Sequence, residues 1–117
     1  MLNFYNQNGK PIIYTDDNVH LFSYGGKPVG YIQEDTVFTF NGKLIGFLVD
    51  GWIRDTKGYC VFFSENATGG MVKPLKQSLP LKSNKQLMPL KSIKQNSTIT
   101  FIKRNAWSRY SDLNFFS

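Results

Sequence analysis

A glycine-centred turn recurs four times in the first 66 residues, at nearly constant spacing. The turn glycines are Gly9, Gly26, Gly42 and Gly58, which lie 17, 16 and 16 residues apart. Dipeptides such as Asn-Gly and Gly-Gly supply the positive φ that tight hairpin turns require. Acidic turns lie about halfway between the glycines, at residues 16–18, 34–35 and 50–51. Each unit therefore predicts a strand, a glycine turn, a second strand and an acidic turn.

Apolar residues recur at fixed offsets from each turn glycine. Five residues before it stand Phe4, Leu21, Val37 and Ile53. The next position holds Tyr5, Phe22, Phe38 and Arg54. Three residues after the glycine stand Ile12, Val29, Ile45 and Val61, and five after it stand Tyr14, Tyr31, Phe47 and Phe63. Because offsets +3 and +5 differ by two, we expect their side chains to project from one face of a strand.

The repeat predicts an all-β fold of four consecutive β-hairpins, each about 16 residues long. One hairpin is marginally stable alone, whereas four around an axis share a core. Gly30 and Gly46 lie within predicted strands, which indicates bulges or a close approach of a neighbouring petal. Pro11 and Pro28 begin the outgoing strands, which indicates sheet edges where a missing amide is tolerated.

Charge is distributed unevenly along the chain, although the length of the chain predicts one domain. Its 117 residues predict a single domain, with the hairpins at 1–66, a basic segment at 70–96 and a terminal part at 97–117. Residues 1–69 hold five Lys/Arg against seven Asp/Glu, a balance of −2. Residues 70–117 hold nine against one, a balance of +8. The basic character therefore belongs to the C-terminal part.

The basic segment reads as triplets from Val72 onward. The first column is mostly apolar: Val72, Leu75, Ser78, Leu81, Asn84, Leu87, Leu90 and Ile93. The second column holds the six lysines of this segment: Lys73, Lys76, Lys82, Lys85, Lys91 and Lys94. A period of three, with prolines nine residues apart, is typical of polyproline II. Our hypothesis is that each nonapeptide lies along one hairpin, with its Leu/Ile edge inward and its lysines outward.

The terminal part predicts two further elements. Residues 97–102 alternate like a final strand. The aromatic tail beyond it, with Trp107, Phe115 and Phe116, is too apolar to remain free, so we expect it to pack on the core or on a partner chain. Asp112 is placed to cap a short helical turn in this tail.

The hairpin series, with Gly-Lys-Pro-Val-Gly-Tyr at residues 26–31, resembles the 4-fold beta flower proteins, small bacterial domains of unknown function. The likeness includes Asp-Gly-Trp-Ile-Arg-Asp at residues 50–55, the Pro-Leu-Lys stretch and Trp107-Ser108, and it covers essentially the whole chain. It implies four hairpin petals around a pseudo-fourfold axis. It implies no activity, so no catalytic residue is transferred. The fourth copy departs from the pattern, with Tyr59-Cys60 in place of Lys-Pro.

Few residues suggest chemistry. His20 is the only histidine and is interpreted as a solvent-facing strand residue, with a ligand or catalytic base as the alternative. Cys60 is the only cysteine and is interpreted as a buried, inert thiol. With one histidine and one cysteine, the sequence offers few ligands for a metal site and few residues for a nucleophile triad. We therefore expect no enzyme, no metal and no cofactor.

Two recurring columns allow a binding interpretation beside a structural one. Asp17, Glu34 and Asp50 each lie eight residues after a glycine and would form a cation-binding ring around an axis. The favoured interpretation is that they serve turn geometry. The aromatic column Tyr5, Phe22 and Phe38 would stack on sugars or bases if it were exposed, and core packing is favoured.

Two classes of function remain open. The first is a non-enzymatic structural or binding module that self-associates through leftover hairpin edges or its aromatic C-terminus. The second is a binder of an anionic polymer, nucleic acid or an anionic surface, through the six lysines. The sequence shows neither a signal-peptide pattern nor an apolar run of about 20 residues, so we expect a cytoplasmic protein without membrane attachment.

Overall fold

The computed structural model describes residues 1–95 and 100–117. Within these residues, eight strands are followed by a 3₁₀ helix, Leu113–Phe116. The strands are β1 (Leu2–Tyr5), β2 (Pro11–Thr15), β3 (His20–Ser23), β4 (Pro28–Gln33), β5 (Thr36–Phe38), β6 (Leu44–Val49), β7 (Trp52–Asp55) and β8 (Cys60–Ser64). Each strand pairs antiparallel with the next and β1 also pairs with β8, so the sheet closes into a barrel.

The four glycine turns join β1–β2, β3–β4, β5–β6 and β7–β8, which we call petals 1 to 4. The turn glycines have φ between 76° and 91°, in the left-handed region. In petal 1 the Gly9 amide donates to the Asn6 carbonyl at 2.9 Å, and the other three petals repeat this bond. The four-hairpin prediction is confirmed. The molecule measures 37 × 36 × 22 Å, a disc with petals around its centre.

Every petal contains a β-bulge at the same place. In petal 1 Phe4 pairs with Ile13 and Tyr5 pairs with Pro11, which leaves Ile12 without a partner. The equivalent bulged residues of the other petals are Val29, Ile45 and Val61. A bulge inserts one residue and breaks the strict alternation of side chains. The expectation that offsets +3 and +5 share a face is therefore wrong.

The bulges separate the core into an inner cluster and an outer aromatic layer. Ile12, Ile45 and Val61 belong to the inner cluster, together with the residues five before each glycine. Tyr14, Tyr31, Phe47 and Phe63, at offset +5, belong to the outer aromatic clusters. Tyr5, Phe22 and Phe38 are buried in the same layer, which confirms that this column packs in the core.

The C-terminal tail closes one end of the barrel. The Asp112 carboxylate accepts the Leu113 amide at 2.7 Å, which confirms the predicted cap. Phe115 is buried in the inner cluster, and its ring meets that of Phe62 edge-on at 5.8 Å. A Cβ on Gly46 would lie 3.0 Å from the Phe115 ring, so the mid-strand glycine leaves room for the tail. The predicted docking of the tail is confirmed. The predicted close approach of a neighbouring petal at Gly46 is confirmed as well, because the same Cβ would overlap the Arg54 carbonyl oxygen of petal 4.

Two expectations about strands are corrected. Pro11 and Pro28 do not lie on open edges; they pair with Tyr5 and Phe22 beside the bulges, inside a closed barrel. Residues 100–102 of the predicted final strand form no strand, because this stretch continues the path of the preceding segment around petal 4. Residues 97–99 of that prediction lie outside the described residues. Among the described residues, no helix is long and apolar enough to cross a bilayer.

Candidate interaction surface

Residues 71–95 and 100–104 form an extended belt that follows the four petals in chain order. Gln77, Gln86 and Gln95, nine residues apart, donate their amides to the carbonyls of the first three turn glycines at 2.8 Å each. Arg104, nine residues further on, donates to Gly58 at 3.1 Å. The nine-residue period of the belt therefore matches the petal spacing, and the predicted path of one nonapeptide per hairpin is confirmed.

The turn glycines admit the belt because they have no side chain. A Cβ on Gly9, Gly26, Gly42 or Gly58 would overlap a belt carbonyl oxygen, that of Leu75, Asn84, Ile93 or Ile102 respectively. These four belt residues are again nine apart. Each turn glycine thus serves two purposes, since its positive φ forms the hairpin and its bare Cα receives the belt backbone.

The aliphatic column of the belt faces solvent. Six of its side chains are between 92% and 97% exposed: Val72, Leu75, Leu81, Leu87, Leu90 and Ile93. Large aliphatic side chains are normally the most buried in a protein, so this exposed series is a candidate interaction surface. The predicted orientation, with the Leu/Ile edge inward, is wrong.

The lysine column turns toward the barrel wall, where aromatic rings lie. The Lys82 ammonium lies 4.3 Å from the centre of the Tyr14 ring. The Lys91 ammonium lies 4.6 Å from that of Tyr31. At these distances the ring quadrupole attracts the cation, while the lysine stem packs along apolar surface. Met88 occupies the same column and is partly buried against two aromatic clusters, whereas Leu79 of this column is 46% exposed.

The other four predicted lysines also reach back to the barrel. Lys76 lies 5.8 Å from the Tyr5 ring centre, and Lys85 lies 4.9 Å from that of Phe22. Lys73 donates to the Ala67 carbonyl and Lys94 to the Gln33 side-chain oxygen, both at 2.6 Å. The six lysines are exposed residues whose ammonium groups reach back to the barrel, because its wall offers ring faces and oxygen acceptors that suit a cation.

Lys85 forms the shortest ion pair of the belt. Its ammonium lies 2.6 Å from the Asp16 carboxylate, in the acidic turn between β2 and β3. The hydrogen bond from Lys85 lowers the pKa of Asp16, and the same bond raises the pKa of Lys85. Lys82 lies 3.9 Å from the other oxygen of Asp16. Asp16 thus anchors the belt between petals 1 and 2.

Asp16→Asn is expected to destabilise the fold by about 0.5–1 kcal/mol at neutral pH, because the pair is half-exposed and screened by solvent. Since the folded state lowers the pKa of Asp16, this stabilisation is present above the ordinary aspartate pKa and is lost as pH falls through the folded value. At alkaline pH the stabilisation by the Asp16–Lys85 pair is lost as pH rises through the raised pKa of Lys85. Urea unfolding across pH measures the difference between the two proteins.

Asp35→Asn is the matched control for the Asp16 variant. Asp35 lies in the next acidic turn, and among the described residues it forms no ion pair. Its variant should differ from the wild type by less than about 0.5 kcal/mol. A destabilisation that is equal for the two variants, or independent of pH, would show that Asp16 does not anchor the belt.

The remaining sequence candidates have structural roles. His20 is half-buried, and its ring nitrogen lies 2.7 Å from the Asp17 carboxylate. Asp17 also accepts the amides of Val19 and His20, while Glu34 and Asp50 adopt φ of 52° in their turns. The turn interpretation of these acids is confirmed. Among the described residues, no three His, Cys, Asp or Glu side chains come together as a metal site would require.

Cys60 is fully buried, as predicted. Burial raises the pKa of its thiol, which keeps the sulfur protonated and unreactive. Its backbone amide donates to the Ala106 carbonyl at 2.9 Å, and its carbonyl accepts the Ser108 amide at 2.7 Å. Cys60 therefore holds the chain on both sides of Trp107 against petal 4.

Arg54 is a buried charge that the sequence pattern did not explain. It occupies the position of Tyr5, Phe22 and Phe38 in petal 4 and is only 3% exposed. One guanidinium nitrogen donates to the Gly58 carbonyl at 2.8 Å and to the Arg104 carbonyl at 2.9 Å. In petal 4 a side chain of the barrel, Arg54, therefore bonds to the belt backbone, whereas in the other petals lysine side chains of the belt contact the barrel.

The fold, the glycine turns and the aromatic tail agree with a known family over nearly the full chain. No curated protein and no solved structure matches the chain significantly. The family model of the 4-fold beta flower proteins matches residues 2–116. The chain belongs to the 4-fold beta flower protein family.

Proposed function

We propose that this protein is a non-enzymatic structural module that self-associates through the outward aliphatic edge of its belt. The observation that carries the proposal is the exposure, above 90%, of the six side chains from Val72 to Ile93 described above. A surface of this kind is stable in water when a partner covers it. A second copy of the chain is the partner that the geometry favours.

The area of the edge fits a dimer. Burying one Val, Leu or Ile gains about 1.5–3 kcal/mol at ~25 cal/mol/Å², which corresponds to roughly 60–120 Å² per side chain. Six of them offer roughly 400–700 Å² of apolar surface. A stable interface takes about 800 Å² from each partner, and in homodimers about 65% of it is apolar. The edge alone therefore supplies the apolar share of such an interface.

The charge of the edge also favours a second copy over an anionic polymer. The six lysines are exposed, but their ammonium groups already contact rings, carbonyl oxygens and Asp16 of the same chain. The other side chains of the belt between residues 72 and 95 are aliphatic, Ser, Asn, Gln and Pro, all neutral. We include a polyproline-II-like conformation of the belt in the proposal. Because this conformation repeats every three residues, it separates the lysine column from the aliphatic column. Two neutral edges meet without the repulsion that two lysine faces would cause.

The proposal replaces the two routes of self-association suggested by sequence. The barrel pairs β1 with β8, and this closure uses the hairpin edges. The aromatic tail packs on the core of its own chain. The outward edge of the belt is the surface that remains for self-association. We also propose a cytoplasmic location, where the single thiol, Cys60, is kept reduced.

Sedimentation equilibrium of the wild type and of the triple variant Leu81→Ser, Leu87→Ser, Leu90→Ser tests the proposal. The wild type is expected to dimerise or assemble further. Each serine should weaken association by about tenfold, because it removes more than about 1.4 kcal/mol of apolar burial. Ser78→Leu, which extends the aliphatic column, should strengthen association. Leu113→Ser is the control, since Leu113 is exposed but lies in the C-terminal helix.

A wild type that remains monomeric at about 1 mM, where binding would be worth only ~4 kcal/mol, would refute self-association. Equal weakening by Leu113→Ser would also count against the belt. Duplex DNA tests the other class of function, because contacts through lysine are strongest at low salt. If a monomeric wild type binds arbitrary DNA at ~50 mM salt, and the triple serine variant binds as well, the anionic-polymer function replaces ours.

A further inference from the structure

A cavity of about 630 Å³ lies between petals 3 and 4 and the C-terminal tail. This volume is in the range of sites that hold small organic molecules. Residues of the tail and of both petals line it. It is separate from the outward edge of the belt, and none of the six exposed aliphatic side chains lines it.

Three cations line the cavity: Lys43, Lys57 and Arg109. In the part of the chain that the structure describes, none of the three forms an ion pair. The one acidic side chain of the lining, Asp55, has an oxygen that accepts the Lys57 and Tyr59 amides at 3.0 Å each, as part of the glycine turn. The side chains of the lining therefore carry an excess of two positive charges.

Aromatic residues form another part of the wall. Trp107, Tyr59 and Tyr110 line the cavity beside the cations. The Trp107 ring is anchored from behind by Trp52, at 5.7 Å between ring centres, and its backbone is held by Cys60. The Arg109 guanidinium lies 5.2 Å from the Tyr110 ring centre, which places cation and ring side by side. The cavity thus combines a supported aromatic wall with unpaired cations.

We propose that this cavity binds a planar anion, an aromatic or heteroaromatic ring that carries a phosphate or carboxylate group. The ring stacks on the aromatic wall, where offset stacking is favourable. The anionic group pairs with Arg109 and Lys43, and the guanidinium fork suits a bidentate contact with either acid. The proposal does not depend on self-association, because the belt edge takes no part in it.

The glycine repeat supplies a matched control. Lys43 follows the turn glycine of petal 3, and Lys27 follows that of petal 2. Lys27 has the same local backbone but does not line the cavity. A general attraction of anions to a chain of net charge +6 would therefore affect Lys27→Gln and Lys43→Gln alike. If the anion binds in the cavity, only Lys43→Gln weakens binding.

Titration with adenosine monophosphate, adenosine and inorganic phosphate, followed by the two indole N–H signals in NMR spectra, tests the proposal. We expect the nucleotide to shift the Trp107 signal more than the Trp52 signal, whose indole is held by the Thr68 and Gly69 carbonyls. Adenosine and phosphate should each bind at least about tenfold more weakly, since each lacks one half of the recognition. Arg109→Gln and Lys43→Gln should weaken nucleotide binding by about tenfold, and Lys27→Gln should not.

Two results would overturn the proposal. The first is the absence of any Trp107 shift with nucleotide and likewise with benzoate, a planar carboxylate. The second is binding that Lys27→Gln and Lys43→Gln weaken equally. Phosphate that binds as tightly as the nucleotide would disprove the aromatic part. The fold of each variant is checked by its unfolding midpoint, because all three substituted side chains are exposed and their loss should leave stability nearly unchanged.

Discussion

Gly26→Ala is expected to destabilise the protein by about 2–3 kcal/mol and to release the belt from petal 2. Gly26 has a φ of 90°, which costs an alanine about 1–2 kcal/mol. The added Cβ would also overlap the Asn84 carbonyl oxygen, a backbone atom that cannot rotate away. The hydrogen bond from the Gln86 amide to Gly26 would then be lost, at about 0.5–1.5 kcal/mol. Urea unfolding and amide hydrogen exchange at Gln86 measure the two effects.

Gly69→Ala separates the cost of backbone strain from the cost of displacing the belt. Gly69 has a φ of 66°, but a Cβ there would meet no atom within 4 Å. Its alanine variant should lose only about 1–2 kcal/mol and should leave exchange at Gln86 unchanged. If the two variants are equally stable and Gln86 stays protected in both, the belt does not depend on the bare Cα of the turn glycine.

Phe115→Ala is expected to destabilise the protein by about 3–5 kcal/mol, the usual cost of removing a buried phenylalanine. Phe115 is 6% exposed and belongs to the inner cluster of the barrel. Its ring contacts Phe62 and lies over Gly46, so an alanine would leave an open space at the end of the barrel. Chemical denaturation of the wild type and the variant gives the difference in free energy of unfolding.

Leu113→Ala is the control for the tail, because Leu113 lies in the same 3₁₀ helix and is 43% exposed. Its loss should cost about 0.5 kcal/mol. A Phe115 variant that loses less than about 1 kcal/mol would contradict the role of the tail as a closing element of the core. In that case the barrel would be stable without its C-terminus, and the cavity beside the tail would not have a fixed wall.

Much of the fold follows from local rules. Asn-Gly and Gly-Gly dipeptides predict tight hairpins whatever surrounds them, because positive φ is a property of the residue itself. Spacing and residue type likewise predict the acidic turns, the cap at Asp112 and the buried aromatic column. The nine-residue period of the basic segment predicted its path, since a repeated segment can place one period on each repeated hairpin. These predictions rest on spacing and on residue type.

The face that each residue presents depends on contacts between distant parts of the chain. Ile12 and Tyr14 lie on different sides of the sheet because of a bulge against β1 in the same hairpin, which a strict alternation of side chains does not predict. Burial rules alone favour leucine inside and lysine outside. In the belt the aliphatic column is exposed and the lysines make the contacts with the barrel, because its wall presents the ring of Tyr14 and the carboxylate of Asp16 to Lys82 and Lys85. No pattern within residues 71–95 contains that information.

The glycine turns that recur through the first 66 residues were predictable as hairpins from their chemistry alone. Their second purpose, as seats for the belt backbone, required the assembled structure, because it depends on Leu75, Asn84 and Ile93 arriving from far along the chain. The same holds for the exposed aliphatic edge and for the cavity beside Trp107. Turn geometry is a local property of the backbone, whereas exposure and cavities are produced only when separate segments pack together.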